Sequence, residues 1–177
     1  MSNHGAVAAG HPLTAETAEL VLREGGNAFD AILAAHFTAC VVEPVLASLG
    51  GGGFMLASPS AGRVQIFDFF VHTPQQKRPE NELDFYPIMA DFGAVQQEFH
   101  IGLGSIATPG SVRGAFSIHR QLGSMPMRDI MAPAMAHAKN GVRLNALQAY
   151  IFSIVAPIYS ASREAHAIYG LGKPEGV

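Results

Sequence analysis

The sequence predicts a helix-rich α+β fold with one β-hairpin. The prediction rests on a 15-residue apolar run from Ala28 to Val42, two strand-like segments at residues 54–57 and 64–71, and glycine and proline signals that separate further helical stretches. With 177 residues, the chain suits one domain of ordinary size. Apolar residues make up 49% of it and charged residues only 14%, which excludes a disordered chain and leaves the surface short of charge. We therefore expect a globular fold that is incomplete on its own.

Charge and cysteine content exclude several classes of protein. The net charge of −3 provides no basic field for nucleic acid or an anionic membrane, and a single cysteine cannot form an internal disulfide. The apolar run of residues 28–42 contains Asp30 and His36 and is shorter than the roughly 20 residues that a membrane span needs. The first residues lack the basic and apolar regions of a secretory signal. The expected location is cytoplasmic as the chain is written, and periplasmic or secreted if the chain has been trimmed.

The first elements follow from small-residue and glycine patterns. Ala6–Ala9 is a short apolar run that could form a strand. Thr14–Glu24 carries its apolar residues at helical spacing, and Gly25-Gly26 offers a left-handed stop. These signals predict a helix over 14–24.

A second helix is predicted from Ala28 to Val42. Asn27 precedes it as a plausible N-cap, and Asp30 places negative charge at the positive end of the helix. The helix is apolar on nearly every face, which predicts burial on nearly every side, and Pro44 ends it.

The hairpin is predicted from Phe54–Ala57 and Val64–Val71, which turn-forming residues connect. The second strand shows little alternation of apolar and polar residues, so we expect both of its faces to be covered. Residues 72–107 have weak periodicity and are interpreted as a long irregular excursion within the single partial domain of residues 1–177.

Three helical stretches complete the chain. Thr108-Pro109 predicts a helix start, with a hydroxyl cap followed by proline. Arg128–Lys139 predicts a helix in which Pro133 causes a kink or a late start. A last helical stretch begins near Asn145 and is interrupted at Pro157.

The residues alone give no complete active site. The glycine run Gly50–Gly53 lacks the following Lys-Ser or Lys-Thr of a P-loop and leads into a strand, which favours a tight turn or close backbone packing over a phosphate cradle. The eight histidines show no zinc-protease spacing, although distant positions could still assemble a metal site. Cys40 lies in the apolar helix without a charged neighbour, which favours a buried filler over a nucleophile.

An ordered set of short motifs resembles one known family. Five segments carry the resemblance: Gly5-Ala6-Val7-Ala8-Ala9, Gly25-Gly26-Asn27-Ala28-Phe29-Asp30-Ala31, Leu49-Gly50-Gly51-Gly52-Gly53-Phe54-Met55, Thr108-Pro109-Gly110-Ser111-Val112, and the helix end from Ala136 to Gly141. No single motif is specific, but their order over residues 5–150 is similar to the N-terminal part of the large subunit of gamma-glutamyltranspeptidases.

The resemblance implies a fold, a reaction and partners. The fold would be the N-terminal segment of an N-terminal nucleophile (Ntn) hydrolase, an αββα sandwich. A precursor would cleave itself, and the new N-terminal threonine of a small subunit would transfer a γ-glutamyl or related acyl group to water or an amine. No cofactor is implied. The implied partners are the rest of the large subunit, the small subunit and a small-molecule amide substrate. This chain would hold no catalytic residue and would be inactive alone.

One substrate-binding position departs from the family. The family places an arginine two residues after the aspartate that ends the second hairpin strand, where its guanidinium pairs with the substrate carboxylate. Here the aspartate is Asp68 and the matching residue is Phe70, which packs in the core or forms an apolar wall of a remodelled acyl pocket. Nearby cations could substitute for the arginine: His72, Lys77, Arg78 and Arg113.

Two functional hypotheses follow from this departure. The first is a gamma-glutamyltransferase-like amidohydrolase that acts on amides other than glutathione. The alternative is a non-catalytic structural or binding relative that has lost both the arginine and the nucleophile. A truncated piece of either protein would expose apolar surface.

Overall fold

The computed structural model describes residues 5–169, which divide into two compact units. The first unit combines residues up to His72 with residues 109–142, and the second combines residues 73–108 with residues from 143 onward.

Four helices build the first unit around a small-residue core. They are α1 (Pro12–Arg23), α2 (Ala28–Val42), α3 (Ser111–Leu122) and α4 (Met127–Asn140). Helix α2 has the predicted bounds and contacts the other three helices. Its inward residues include Leu33, Ala34 and Phe37, which pack with Ile118 of α3 and Ile130 of α4. Burial is incomplete, however, since Ile32 of α2 remains exposed.

Two predicted helix starts differ from the structure. Helix α3 begins at Ser111 with Gly110 as its N-cap, so Thr108 is not the predicted cap. The reason is tertiary: the backbone N–H groups of Gly110 and Ser111 both donate to the carbonyl oxygen of Gly51. Helix α4 runs from Met127 through Pro133 without the predicted late start.

The first hairpin pairs β1 (Phe54–Ala57) with β2 (Gln65–Asp68) in an antiparallel register that sets Met55 opposite Phe67. Met55 and Phe67 pack against the helical core. Leu56 and Ile66, by contrast, are exposed, with 72% of Ile66 open to solvent. The expectation that both faces of the second strand are covered is therefore wrong. Apolar side chains lie on both faces of β2, but the residues that the structure describes cover only one of these faces.

The second unit contains a hairpin that the sequence analysis missed. Strands β3 (Tyr86–Asp91) and β4 (Gln96–Ile101) pair antiparallel within the stretch 72–107, so that stretch is not wholly irregular, and the fold has two hairpins rather than one. Most residues of both strands are exposed, and β4 is largely polar. The inward face is short, with Ile88 and Ala90 in β3 and Phe99 and Ile101 in β4, so each strand gives only a brief period-2 signal.

Three helices complete the second unit: α5 (Ala146–Ile154), α6 (Ala156–Tyr159) and α7 (Arg163–Tyr169). Helix α5 begins next to Asn145, as predicted. Asn145 is its N-cap, and the Asn145 N–H donates in turn to the Gln148 side chain in a capping box. The predicted interruption falls between α5 and α6, with Pro157 at the start of α6. Among the helices of residues 5–169, none is long and apolar enough to cross a membrane.

Candidate substrate-binding site

Three glycines hold the backbone that carries Phe70. A Cβ atom at Gly52 would lie 2.7 Å from both the Phe69 carbonyl oxygen and the Val71 nitrogen. A Cβ at Gly110 would overlap the Phe69 carbonyl, and one at Gly114 would overlap the Phe69 ring. We call Gly52, Gly110 and Gly114 the glycine clamp. Part of the glycine run thus serves close backbone packing, the interpretation that the sequence favoured.

Phe69 and Phe70, which follow one another beside the glycine clamp, point in opposite directions. Phe69 points inward, with its ring centroid 6.4 Å from that of His36. Phe70 points outward, half exposed, and stacks on Phe54 with a centroid separation of 5.4 Å and an interplanar angle of 13°. The Phe70 N–H donates to Asp68 Oδ1 at 3.0 Å. Core packing, one of the two interpretations of Phe70, is thus the role of Phe69, while Phe54 and Phe70 form an exposed aromatic pair.

The cations proposed as substitutes for the expected arginine are divided between the two units. His72 and Arg113 are both exposed in the first unit, Arg113 on the first turn of α3. Within residues 5–169, neither of these two side chains makes a hydrogen bond or an ion pair. Lys77 and Arg78 belong to the second unit.

An apolar cleft of about 600 Å³ lies in the first unit. The segment Ala6–Ala9, helix α2 and strand β1 contribute most of its lining. Two buried polar atoms among the lining residues, His36 Nε2 and Ser111 Oγ, have no hydrogen-bond partner in the described structure. Burial lowers the pKa of His36, so its imidazole is neutral near pH 7. The cleft is thus apolar, with two unmet hydrogen-bonding groups.

The remaining candidate groups are inert in this structure. Burial raises the pKa of the Cys40 thiol, which keeps it protonated and agrees with a filler role. In the part of the chain that the structure describes, no three His, Cys, Asp or Glu side chains gather closely enough to hold a metal ion.

Comparison with known proteins gives a consistent match. A family model described as gamma-glutamyltranspeptidase matches residues 14–169. A glutathione hydrolase proenzyme of Pseudomonas aeruginosa is 32% identical over 141 residues, which cover 79% of this chain and 24% of that protein. An Acylase ACY 1 proenzyme of Pseudomonas sp. (strain V22) is 27% identical, with 78% and 25% covered. The solved gamma-glutamyltranspeptidase from Pseudomonas nitroreducens, complexed with L-DON, superposes on this chain with a TM-score of 0.79 at 26% sequence identity. The match covers 98% of this chain and 50% of the solved chain.

These matches and the fold define an N-terminal nucleophile hydrolase segment, helix-rich with small antiparallel hairpins. The chain belongs to the gamma-glutamyltranspeptidase family and corresponds to its N-terminal part. It spans about a quarter of the length of the curated relatives it matches.

Three residues of the aromatic pair and of the cleft were not predicted from the sequence. Phe54 reads as an ordinary strand residue, His36 as one of eight scattered histidines, and Ser111 as part of a helix start. Only His36 gave a signal that could have been used, because a histidine on an otherwise apolar helix must face either a partner or a cavity.

Proposed function

We propose that this chain is the N-terminal part of an amidohydrolase or acyltransferase precursor of the gamma-glutamyltranspeptidase family. The family match over residues 14–169 carries this proposal. In the full-length protein, the N-terminal threonine of a small subunit outside these residues attacks the amide carbonyl, and its own α-amino group accepts the proton. The proton passes to the departing amine as the amide C–N bond breaks, and the acyl group, now held as an ester of the threonine, then passes to water or to an amine. The 177-residue chain alone has no activity.

We further propose that the acyl group is not an ordinary γ-glutamyl group. Phe70 stands where the family's carboxylate-binding arginine is expected, and a phenyl ring cannot pair with a carboxylate. The outward stack of Phe70 on Phe54 offers an apolar surface to the substrate instead. One of the relatives is named an acylase, which is compatible with a substrate whose acyl group is not γ-glutamyl. In the same proposal, His72 or Arg113 contacts the substrate.

Restoring the arginine tests this assignment. In the full-length protein, Phe70→Arg is expected to raise kcat/KM for a γ-glutamyl anilide about tenfold or more, because a charge-assisted carboxylate pair contributes about 1.5–3 kcal/mol. Ile66→Arg is the matched control, since Ile66 is an exposed residue of β2 two positions before Asp68, whereas Phe70 lies two positions after it. Equal rates for the wild type and both variants, in an enzyme that is active on other amides, would contradict the proposed role of Phe70.

The loss of the arginine also favours a second candidate, a non-catalytic structural or binding relative. The two candidates differ in whether the precursor cleaves itself. Intact-mass measurement and N-terminal sequencing of the full-length gene product distinguish them: the enzyme gives two fragments, one of which begins with threonine. A single uncleaved polypeptide would contradict the enzymatic proposal.

A further inference from the structure

The exposed aromatic pair of Phe54 and Phe70 presents flat ring surface to its surroundings. Phe54 lies directly opposite Asp68 in the β1–β2 ladder, and Phe70 follows that aspartate by two residues. The two rings stack with an angle of only 13° between their planes, and Phe54 is 64% exposed and Phe70 50% exposed. Because each ring covers one face of the other, the exposed surface of the pair consists of outer ring faces and ring edges.

The backbone that carries both rings is held in place. Phe69, which precedes Phe70, exchanges two backbone hydrogen bonds with Gly53, which precedes Phe54, at 3.0 and 3.3 Å. Asp68 Oδ1 accepts the Phe70 N–H at 3.0 Å, and the glycine clamp packs against the same segment. Two rings on a fixed backbone form a preorganised stacking surface, on which a ligand binds with little loss of conformational entropy from the protein.

Asp68 places a negative charge beside this pair. Facing Cβ atoms of an antiparallel ladder are about 4.5–5.5 Å apart, which brings the Asp68 side chain next to Phe54. Asp68 is exposed, and within residues 5–169 no cation forms an ion pair with it. A carboxylate of a ligand on the pair would therefore meet a like charge that no described cation offsets. The pair favours a ligand group that is aromatic and carries no negative charge.

We infer that the acyl group of the substrate carries an uncharged aromatic ring, which stacks on Phe54 and Phe70. The inference rests on the proposed function, which places Phe70 at the acyl-binding position, and it names the substrate class as arylalkanoyl amides. A planar ring gains a stacking contact in addition to the burial of apolar area, whereas a saturated group of the same size gains burial alone. Phe54 is then a second residue that determines specificity, and Asp68 excludes anionic acyl groups.

Binding of simple amides to the full-length gene product tests the inference without requiring catalysis. Phenylacetamide and cyclohexylacetamide have the same carbon skeleton but differ in ring aromaticity, and titrations followed by ligand-observed NMR measure their dissociation constants. Phenylacetamide is expected to bind about three- to tenfold more tightly, which is the contribution of one stacked aromatic contact. 4-Carboxyphenylacetamide is expected to bind about fivefold more weakly than phenylacetamide, because its carboxylate approaches Asp68.

Substitutions in the pair identify the residues responsible. Phe54→Leu is expected to abolish the preference for phenylacetamide, whereas Phe54→Tyr, which keeps the ring, should retain it. Phe116→Leu is the matched control, since Phe116 is a 40% exposed phenylalanine of α3 outside the pair. Asp68→Asn should weaken the discrimination against the carboxylate, because the amide oxygen can still accept the Phe70 N–H while the charge is gone. In an active enzyme, kcat/KM for the corresponding p-nitroanilides should change in the same order.

The outcomes separate this inference from the proposed function. Failure of phenylacetamide to bind, equal affinities for the two amides, or a preference that survives Phe54→Leu would overturn the aromatic site. A lower Tm of Phe54→Leu with an unchanged preference would assign the pair to packing against further polypeptide and would also overturn it. Hydrolysis of amides without a ring, together with any of these results, would leave the proposed function standing. A preference that depends on Phe54 in a protein that does not cleave itself would support the aromatic site and reject only the enzymatic proposal.

Discussion

Replacing Asp30 with asparagine is expected to lower the free energy of unfolding of the full-length protein by about 3 kcal/mol. The Asp30 carboxylate is fully buried and accepts hydrogen bonds from the backbone N–H groups of Asn27, Ser124 and Met125 and from the Ser124 hydroxyl. Asparagine would turn an NH₂ group toward at least one of these donors, which leaves buried donors unpaired. Urea denaturation, followed by circular dichroism, measures the change.

The same carboxylate predicts a pH dependence. Burial by itself raises the pKa of Asp30, but the hydrogen bonds from Ser124, Asn27 and Met125 outweigh it, so the net pKa lies below its ordinary value. A lowered pKa gives stability that is present above the unfolded-state pKa of about 4 and is lost as the pH falls through the folded-state value. The wild type should therefore lose more stability than Asp30→Asn between pH 5 and pH 2.

Glu19→Gln provides the matched control for Asp30→Asn. It makes the same carboxylate-to-amide change in α1, where Glu19 forms an exposed pair with Arg23. An exposed pair contributes roughly 0–1 kcal/mol, so the control should change little. Equal effects of the two substitutions would show that Asp30 does not anchor the fold.

Adding one methyl group at Gly52 is expected to destabilise the protein by at least about 2 kcal/mol or to prevent folding. The new Cβ in Gly52→Ala would lie 2.7 Å from backbone atoms of Phe69 and Val71, which cannot move without displacing the glycine clamp. The cause is contact rather than conformation, since the φ of Gly52 is not positive. Soluble yield and Tm of the full-length variant measure the effect, and any folded variant should also show altered substrate preference, because the same backbone positions Phe70.

Gly50→Ala tests the specificity of this prediction within the same glycine run. A Cβ at Gly50 would meet only the Ser48 hydroxyl, at an ordinary 3.4 Å. We expect this variant to keep the wild-type Tm within about 2 °C, since surface substitutions change stability by about 0.5 kcal/mol or less. If both variants were as stable as the wild type, close packing at Gly52 would be ruled out.

Local patterns determined some helix boundaries, because the residues responsible lie within a few positions of those boundaries. The bounds of α2 follow from Asn27, Asp30 and Pro44, and the start of α5 follows from Asn145. The family, too, could be identified from ordered short motifs, and the match over residues 14–169 confirms it. The hairpin β3–β4 was missed because each of its strands turns only two residues inward, which is too short a run to produce clear alternation.

The sequence by itself predicted that Asn27 caps a helix with Asp30 in its first turn, that the glycine run leads into a strand, and that Phe70 stands where the family's arginine is expected. Tertiary structure alone decided that Asp30 also binds Ser124, 94 residues away, and that Gly52 and Gly110 close around Phe69. It also decided that Phe69 faces inward while Phe70 stacks on Phe54. The physical reason is distance along the chain. Helix caps and hydrophobic periodicity depend on residues within one or two turns, whereas these contacts join segments that are far apart in sequence, and no local pattern predicts that they meet.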